Sequence, residues 1–406
     1  MSRLRAVLVA LVGAFHLAGA SQAWAVDPAP DKGEVGSGVR YERIGYWDAA
    51  RLNQVLAVDA PKFFGVSPAY APARTGVTLY RITYPSVIPE QGNLPTLASG
   101  LLAIPDGGGS SFPMLSYQHG TVFGKDEVPS FPDKSPETQL VLAQFGGQGY
   151  VVIGADYFGM GIATAPQGYL VKASQQQAPF DMLFAARAVL AAMKIETPKL
   201  FLGGWSQGGF VTMAFLEKLE AAGVPVTAVA TASAPLDGFM AMNGFLQFPR
   251  KIDAGWVNSL FILTAFSFEA YYGLPGLARS LLTDEAYETC RAAYENRPFD
   301  PEKIPTDLKK LIRPEYFDGQ YFARSAYGRI LKDLTAYRWI IRTPVRNYFG
   351  EADEVITPGL GRLAMTWQAA MGAGNGQVEA ISAGPTTHRG TYATSIVAWK
   401  NWFDQQ

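Results

Sequence analysis

Cysteine is all but missing. Cys290 is the single one in 406 residues, so no intrachain disulfide can form, the fold must be held by its core, and this thiol reads as a small buried apolar residue rather than a nucleophile. Histidine is nearly as scarce: only His16, His119 and His388 occur. Neither sign of charge dominates, since the formal net charge is −1, and without a basic excess no nucleic-acid partner is expected. A run long enough to span a membrane is missing too. The most apolar stretch, near the N-terminus, is interrupted by Gly13, His16 and Gly19.

What that N-terminus does contain is Arg3 and Arg5, an apolar run, and small residues at Ala23 and Ala25. Residues 1–25 therefore read as a cleaved secretory signal, with Ala20 as an alternative cleavage position, and an extracytoplasmic location is expected. Residues 26 to about 40, rich in Pro, Gly, Asp and Ser, read as a flexible leader.

The most informative stretch is Lys199 to Leu219, KLFLGGWSQGGFVTMAFLEKL. Leu200, Phe201 and Leu202 read as a buried strand, and Phe210, Val211, Ala214, Phe215 and Leu219 recur at helical spacing. Between them lies Gly204-Trp205-Ser206-Gln207-Gly208, a G-x-S-x-G turn with serine at its apex. The two glycines clear space for a sharp strand-to-helix turn, which exposes the Ser206 hydroxyl, and the amide of Gln207 at the helix start is placed to bind an oxyanion.

Around this turn strands and helices alternate. Strands are expected at Val77 to Tyr84, Leu97 to Ile104, Phe112 to Gln118, Tyr150 to Gly154, Val226 to Thr231, Val345 to Phe349 and Val378 to Ser382. The first two read as an antiparallel pair; the rest call for a mostly parallel central sheet flanked by helices, an α/β fold. Residues 26–236 and 342–406 supply the two parts of that core. Between them, residues 237–341 carry no convincing strand and read as a helical cap or lid insertion. Its opening part is aromatic and Met-rich, including Met240, Met242, Phe245, Trp256 and Phe261. Such residues suit either burial against the core or a cover for an acyl chain or aromatic group that excludes water.

Serine is a weak nucleophile unless an imidazole takes its proton, and the imidazole needs a carboxylate to fix its tautomer. His16 leaves with the signal and His119 precedes the turn. His388, in the loop before the last helix, is the candidate base, in keeping with the order serine, acid, histidine that accompanies such a turn. The acid should come from Gly350-Glu351-Ala352-Asp353-Glu354. Asp353 is preferred there over Glu351 and Glu354, which read as a solvated pair, and Asp237 is an outsider. A second oxyanion donor is expected after the third strand, from the amide of Thr121 or alternatively Gly120.

These motifs, with Tyr117-Gln118-His119-Gly120-Thr121 and Ala155-Asp156-Tyr157-Phe158-Gly159-Met160-Gly161, make the chain resemble the α/β-hydrolases, and within them the secreted lipase and carboxylesterase branch. The resemblance implies Ser206, Asp353 and His388 as a triad, Gln207 with Thr121 or Gly120 as an oxyanion hole, and no metal or organic cofactor. It implies a small-molecule or lipid-like ester as substrate, with transient contact of the cap with a lipid interface. The glycine run of the hormone-sensitive esterase group is missing at His119-Gly120-Thr121. A serine peptidase acting near a peptide terminus is the alternative, and would need a charged pocket residue such as Lys251, Asp253 or Glu269. A non-catalytic binding protein on the same scaffold is a third reading.

Overall fold

Five consecutive strand ends meet along one rim of the sheet, and that alignment places everything of interest. The computed structural model describes residues 30–36, 38–373 and 376–406; the expected signal at 1–25 lies outside them. Among the described residues ten strands form one mixed sheet: β1 Lys32–Val35, β2 Val39–Trp47, β3 Val77–Ile88, β4 Leu94–Pro105, β5 Met114–Gln118, β6 Val151–Ala155, β7 Leu200–Trp205, β8 Ala228–Ala232, β9 Val345–Phe349 and β10 Val378–Ser382. Their spatial order is β1-β2-β3-β4-β6-β5-β7-β8-β9-β10. From β6 to β10 every pairing is parallel, while β1 to β4 and the β4–β6 junction are antiparallel.

The register aligns the carboxyl ends. Gln118 pairs with Gly204, Trp205 with Ala232, Ala232 with Tyr348, and Phe349 with Ser382. The residues that follow, 119–121, 206, 233, 350–353 and 383–388, therefore emerge on one side, where open parallel sheets bind their ligands.

The parallel strands β5, β6, β7 and β8 are buried along their whole length, as their largely apolar sequences require. Helices Lys172–Ala192 and Gln207–Ala221 pack with one apolar cluster, and Pro136–Gln144 and His388–Phe403 with another. Cys290 is buried in the first cluster, and burial pushes its thiol up to about 12, so it stays protonated and unreactive.

The leader reading of residues 26–40 needs correction from Lys32 onward. Lys32–Val35 and Val39–Trp47 form a hairpin that extends the antiparallel wing. Its strands carry charged residues at most outward positions, so they lack an apolar signature, and what holds them is pairing with β3. Arg81 bonds Glu42, and the rings of Tyr41 and Tyr80 meet edge to face at 6.0 Å. Helical turns between Ala49 and Phe64, also outside the expected elements, bury Leu52, Val55, Leu56 and Phe64.

Between β8 and β9 the chain is helical, beginning with Gly238–Gln247 and ending with Ala326–Asp333. It departs at Asp237 and comes back beside it, for Asp237 and Thr335 form an isolated antiparallel bridge. Within this segment the helix Asn258–Tyr271 is apolar on nearly every side and correspondingly buried, while Met240, Phe248, Ile252 and Trp256 remain exposed. Among the described residues no helix is long and apolar enough to cross a membrane.

Candidate active site

The turn after β7 forces Ser206 into φ 56°, ψ −124°, a region that L-residues enter only when surroundings compel it. What compels it is crowding at the two glycines. A Cβ on Gly208 would overlap the carbonyl of Gln118, and one on Gly204 would overlap the carbonyl of Gly208. Gly208→Ala is thus expected to push the helix away from β5, cost roughly 2 kcal/mol or more of stability and displace the Ser206 hydroxyl. Thermal melting and a crystal structure of the variant would check both.

Three distant points of the chain meet at Ser206. His388 Nε2 lies 2.9 Å from Ser206 Oγ, and its Nδ1 lies 3.0 Å from each carboxylate oxygen of Asp353. All three side chains are buried. Asp353 is pinned from behind, its Oδ1 accepting the amides of Val355 and Ile356 at 2.8 Å each. Burial alone would raise its pKa; the neighbouring imidazole and these hydrogen bonds outweigh that and hold it below the usual carboxylate value. An ionised carboxylate beside Nδ1 favours the tautomer with Nδ1–H and leaves Nε2 free to accept the serine proton.

The other acids are engaged elsewhere. Asp237 caps the helix Gly238–Gln247 by accepting from Met240 N and is bonded to Tyr337 and Arg338. Glu351 accepts from Ser382 Oγ. Glu354 differs from the expected solvated role: its carboxylate accepts the backbone amide of His388 at 2.8 Å. It thereby ties the loop that carries the imidazole to the one that carries Asp353. Trp205 was also overlooked in the sequence, where it reads only as the variable residue before the serine. Its indole Nε1 donates to the carbonyl of His388 at 3.2 Å and its ring packs 5.1 Å from the imidazole.

At the expected oxyanion position, neither Gln207 N nor Thr121 N has an acceptor among the described residues. Gly120 N is already committed to Glu137 Oε2 at 2.7 Å, which removes it as the alternative donor. Its neighbour His119 is fully buried, and burial lowers its pKa to about 4 even though two backbone carbonyls pull the other way, so the ring is neutral near pH 7.

Tyr169, Leu170, Met242, Phe245, Leu260 and Ile356 close over Ser206, leaving a cavity of about 20 Å³, room for about one water molecule. Among the described residues no charged side chain lines it. Asp253 is paired with Arg250, Glu269 accepts from Ala278 N, and neither they nor Lys251 reach it. A larger cavity of about 560 Å³, lined by Phe123, Leu263 and Phe299 among others, does not touch Ser206, His388 or Asp353.

No family model matches this chain. No curated protein matches it either. Solved structures do. A crystal structure of a candidate hydrolase from Legionella pneumophila superposes with a TM-score of 0.79 at 22% identity, covering 90% of this chain and 96% of that one. The ligand-bound rice cell wall degrading esterase LipA from Xanthomonas oryzae gives 0.76 at 20% identity, covering 90% and 98%. Candida antarctica lipase A in its closed state gives 0.61 at 15%, covering 90% and 81%. The chain has the α/β-hydrolase fold. In that fold the antiparallel wing from β1 to β4 is the N-terminal edge of the sheet, and the turn at Ser206 stands between a central strand and the helix after it. At this level of identity the hydrolase likeness concerns architecture, so function has to be argued from the site.

Proposed function

We propose that the chain is a secreted serine hydrolase of carboxylic esters, acting through Ser206, His388 and Asp353. The observation that carries this reading is the unbroken hydrogen-bonded line from Ser206 Oγ through both imidazole nitrogens to Asp353. Ser206 Oγ attacks the ester carbonyl as His388 Nε2 takes its proton, and the oxyanion is received by the amides of Gln207 and Thr121. On collapse the C–O bond breaks and the alcohol departs with the proton from His388. Water, deprotonated by the same imidazole, then attacks the acyl-enzyme, and the acid leaves as Ser206 regains its proton. Asp353 stays ionised throughout.

Esters are preferred over peptides because the walls around Ser206 are apolar and hold no charge for a peptide end. The helical segment 237–341 serves as the cap in this reading, since Met242, Phe245 and Leu260 from it overlie Ser206. The exposed Phe248, Ile252 and Trp256 beside it form the face that meets a lipid interface. Export rests on the signal-like residues 1–25.

A fluorophosphonate probe tests the assignment directly. It should label Ser206 stoichiometrically, and p-nitrophenyl butyrate should be hydrolysed at least about a hundredfold faster than the matching anilide. Absence of labelling would return the binding-protein reading; comparable anilide turnover would favour the amidase.

A further inference from the structure

Two peptide units flank Gly120, and three of their four polar atoms are held. The carbonyl of His119 accepts from Tyr157 Oη at 3.1 Å, the amide of Gly120 donates to Glu137 Oε2 at 2.7 Å, and the carbonyl of Gly120 lies 2.8 Å from His119 Nδ1. His119 Nε2 also faces a carbonyl, that of Asp156 at 3.3 Å, but a neutral imidazole has one N–H, and the shorter contact assigns it to Nδ1, which donates to Gly120. Only the fourth atom, the amide of Thr121, lacks a partner among the described residues. In a trans peptide the C=O and the following N–H point in opposite directions. Fixing the Gly120 carbonyl on the imidazole therefore turns the Thr121 amide away from it. Thr121 Oγ1 in turn bonds Tyr169, which lines the cavity over Ser206.

We propose that Glu137 and His119 are positioning residues that clamp the Gly120 peptide units and so present the Thr121 amide to the oxyanion. The inference deepens the ester-hydrolase reading and rests on it.

Glu137 is an expensive choice for a purely structural acceptor. It is buried, comes from the first turn of the helix Pro136–Gln144, and forms no salt bridge among the described residues. Burial raises its pKa to about 7, against the pull of its bonds from Gly120 and Tyr117 and of the nearby His388 and Arg389 side chains. The titratable groups around it are Tyr117 on β5, Tyr157 after β6, and His388, Arg389 and Tyr392 on the last helix. A charge-assisted bond is roughly twice as strong as a neutral one, so the carboxylate form clamps more firmly than the acid. Because the folded pKa lies above the ordinary 4.5, the charged form costs stability above about pH 7, and that cost vanishes as pH falls toward the ordinary value.

Glu137→Gln resembles the protonated form at every pH. With p-nitrophenyl butyrate its kcat should be about tenfold below wild type at about pH 8, with KM unchanged, and the ratio should shrink toward one below about pH 6. Its melting temperature at the higher pH should equal or exceed that of wild type. Wild-type kcat throughout would overturn the proposal, as would a deficit that is constant with pH and accompanied by a lower melting temperature. His119 supplies a second arm should that variant not fold. His119→Asn, which keeps an N–H donor, should retain activity, and His119→Leu should lose about tenfold in kcat and in fluorophosphonate labelling rate; equal loss in both variants would overturn the clamp. Failure of the ester-hydrolase reading looks different, because wild type itself would then resist the probe.

Discussion

Ser206→Ala should lower kcat for a soluble ester by about four to six orders of magnitude, with melting temperature nearly unchanged. In the proposed mechanism this removes the nucleophile outright, and no neighbouring group can replace it. Cys290 is buried within the core and held protonated, and the cavity over position 206 is otherwise lined by apolar side chains and the phenol of Tyr169. What survives should be the modest acceleration that an oxyanion hole and substrate binding still provide, about 10³- to 10⁴-fold over water. Alanine meets about the same backbone strain as serine at φ 56°, so the fold has no reason to relax. Steady-state kinetics on protein freed of wild-type contamination decides the matter. Retention of more than about one per cent of kcat would remove Ser206 from the chemistry.

Asp353→Asn should cost about 10⁴ in kcat, and the hydrogen bonds say why. Oδ1 of Asp353 accepts two backbone amides and also faces the imidazole, whereas Oδ2 faces the imidazole and accepts no backbone amide among the described residues. An asparagine will keep its oxygen on the two amides and turn its NH₂ toward His388 Nδ1. The ring must then accept at Nδ1 and carry its proton on Nε2, opposite Ser206 Oγ, where it can no longer act as a base. Geometry should survive while turnover collapses. A crystal structure of the variant together with kcat would test this, and an active Asp353→Asn protein would point to Glu354 or Glu351 as the effective acid.

The parts legible in the sequence were those governed by local rules or by scarcity. Gly204 and Gly208 announce a turn that only small residues permit, and the strands on either side of it are continuous apolar runs. With only three histidines in the chain, His388 could be singled out by its place after the last strand. Glu137 could not. Its part depends on a helix returning beneath a loop 17 residues earlier, and as the single acid of Pro136 to Gln144, in the first helical turn, it reads as an ordinary residue favoured by the helix dipole. Glu354 was misjudged for the related reason that two adjacent acids look alike until the fold turns one toward the His388 amide. The hairpin Lys32 to Trp47 escaped notice because its strands are stabilised by pairing with β3 rather than by an apolar pattern of their own. The separation is between short-range sterics, which a sequence displays, and long-range hydrogen bonding, which appears only in three dimensions.

The cavity beside Ser206 holds about one water molecule, smaller than any acyl group. On the ester-hydrolase reading, an acyl group reaches Ser206 only when side chains over it, such as Met242 and Phe245, move aside, and the free energy of that movement is subtracted from each measured affinity. Two esters with equal intrinsic complementarity would share that deduction equally, so relative preferences report the pocket's chemistry while absolute Michaelis constants also report how rarely it is open.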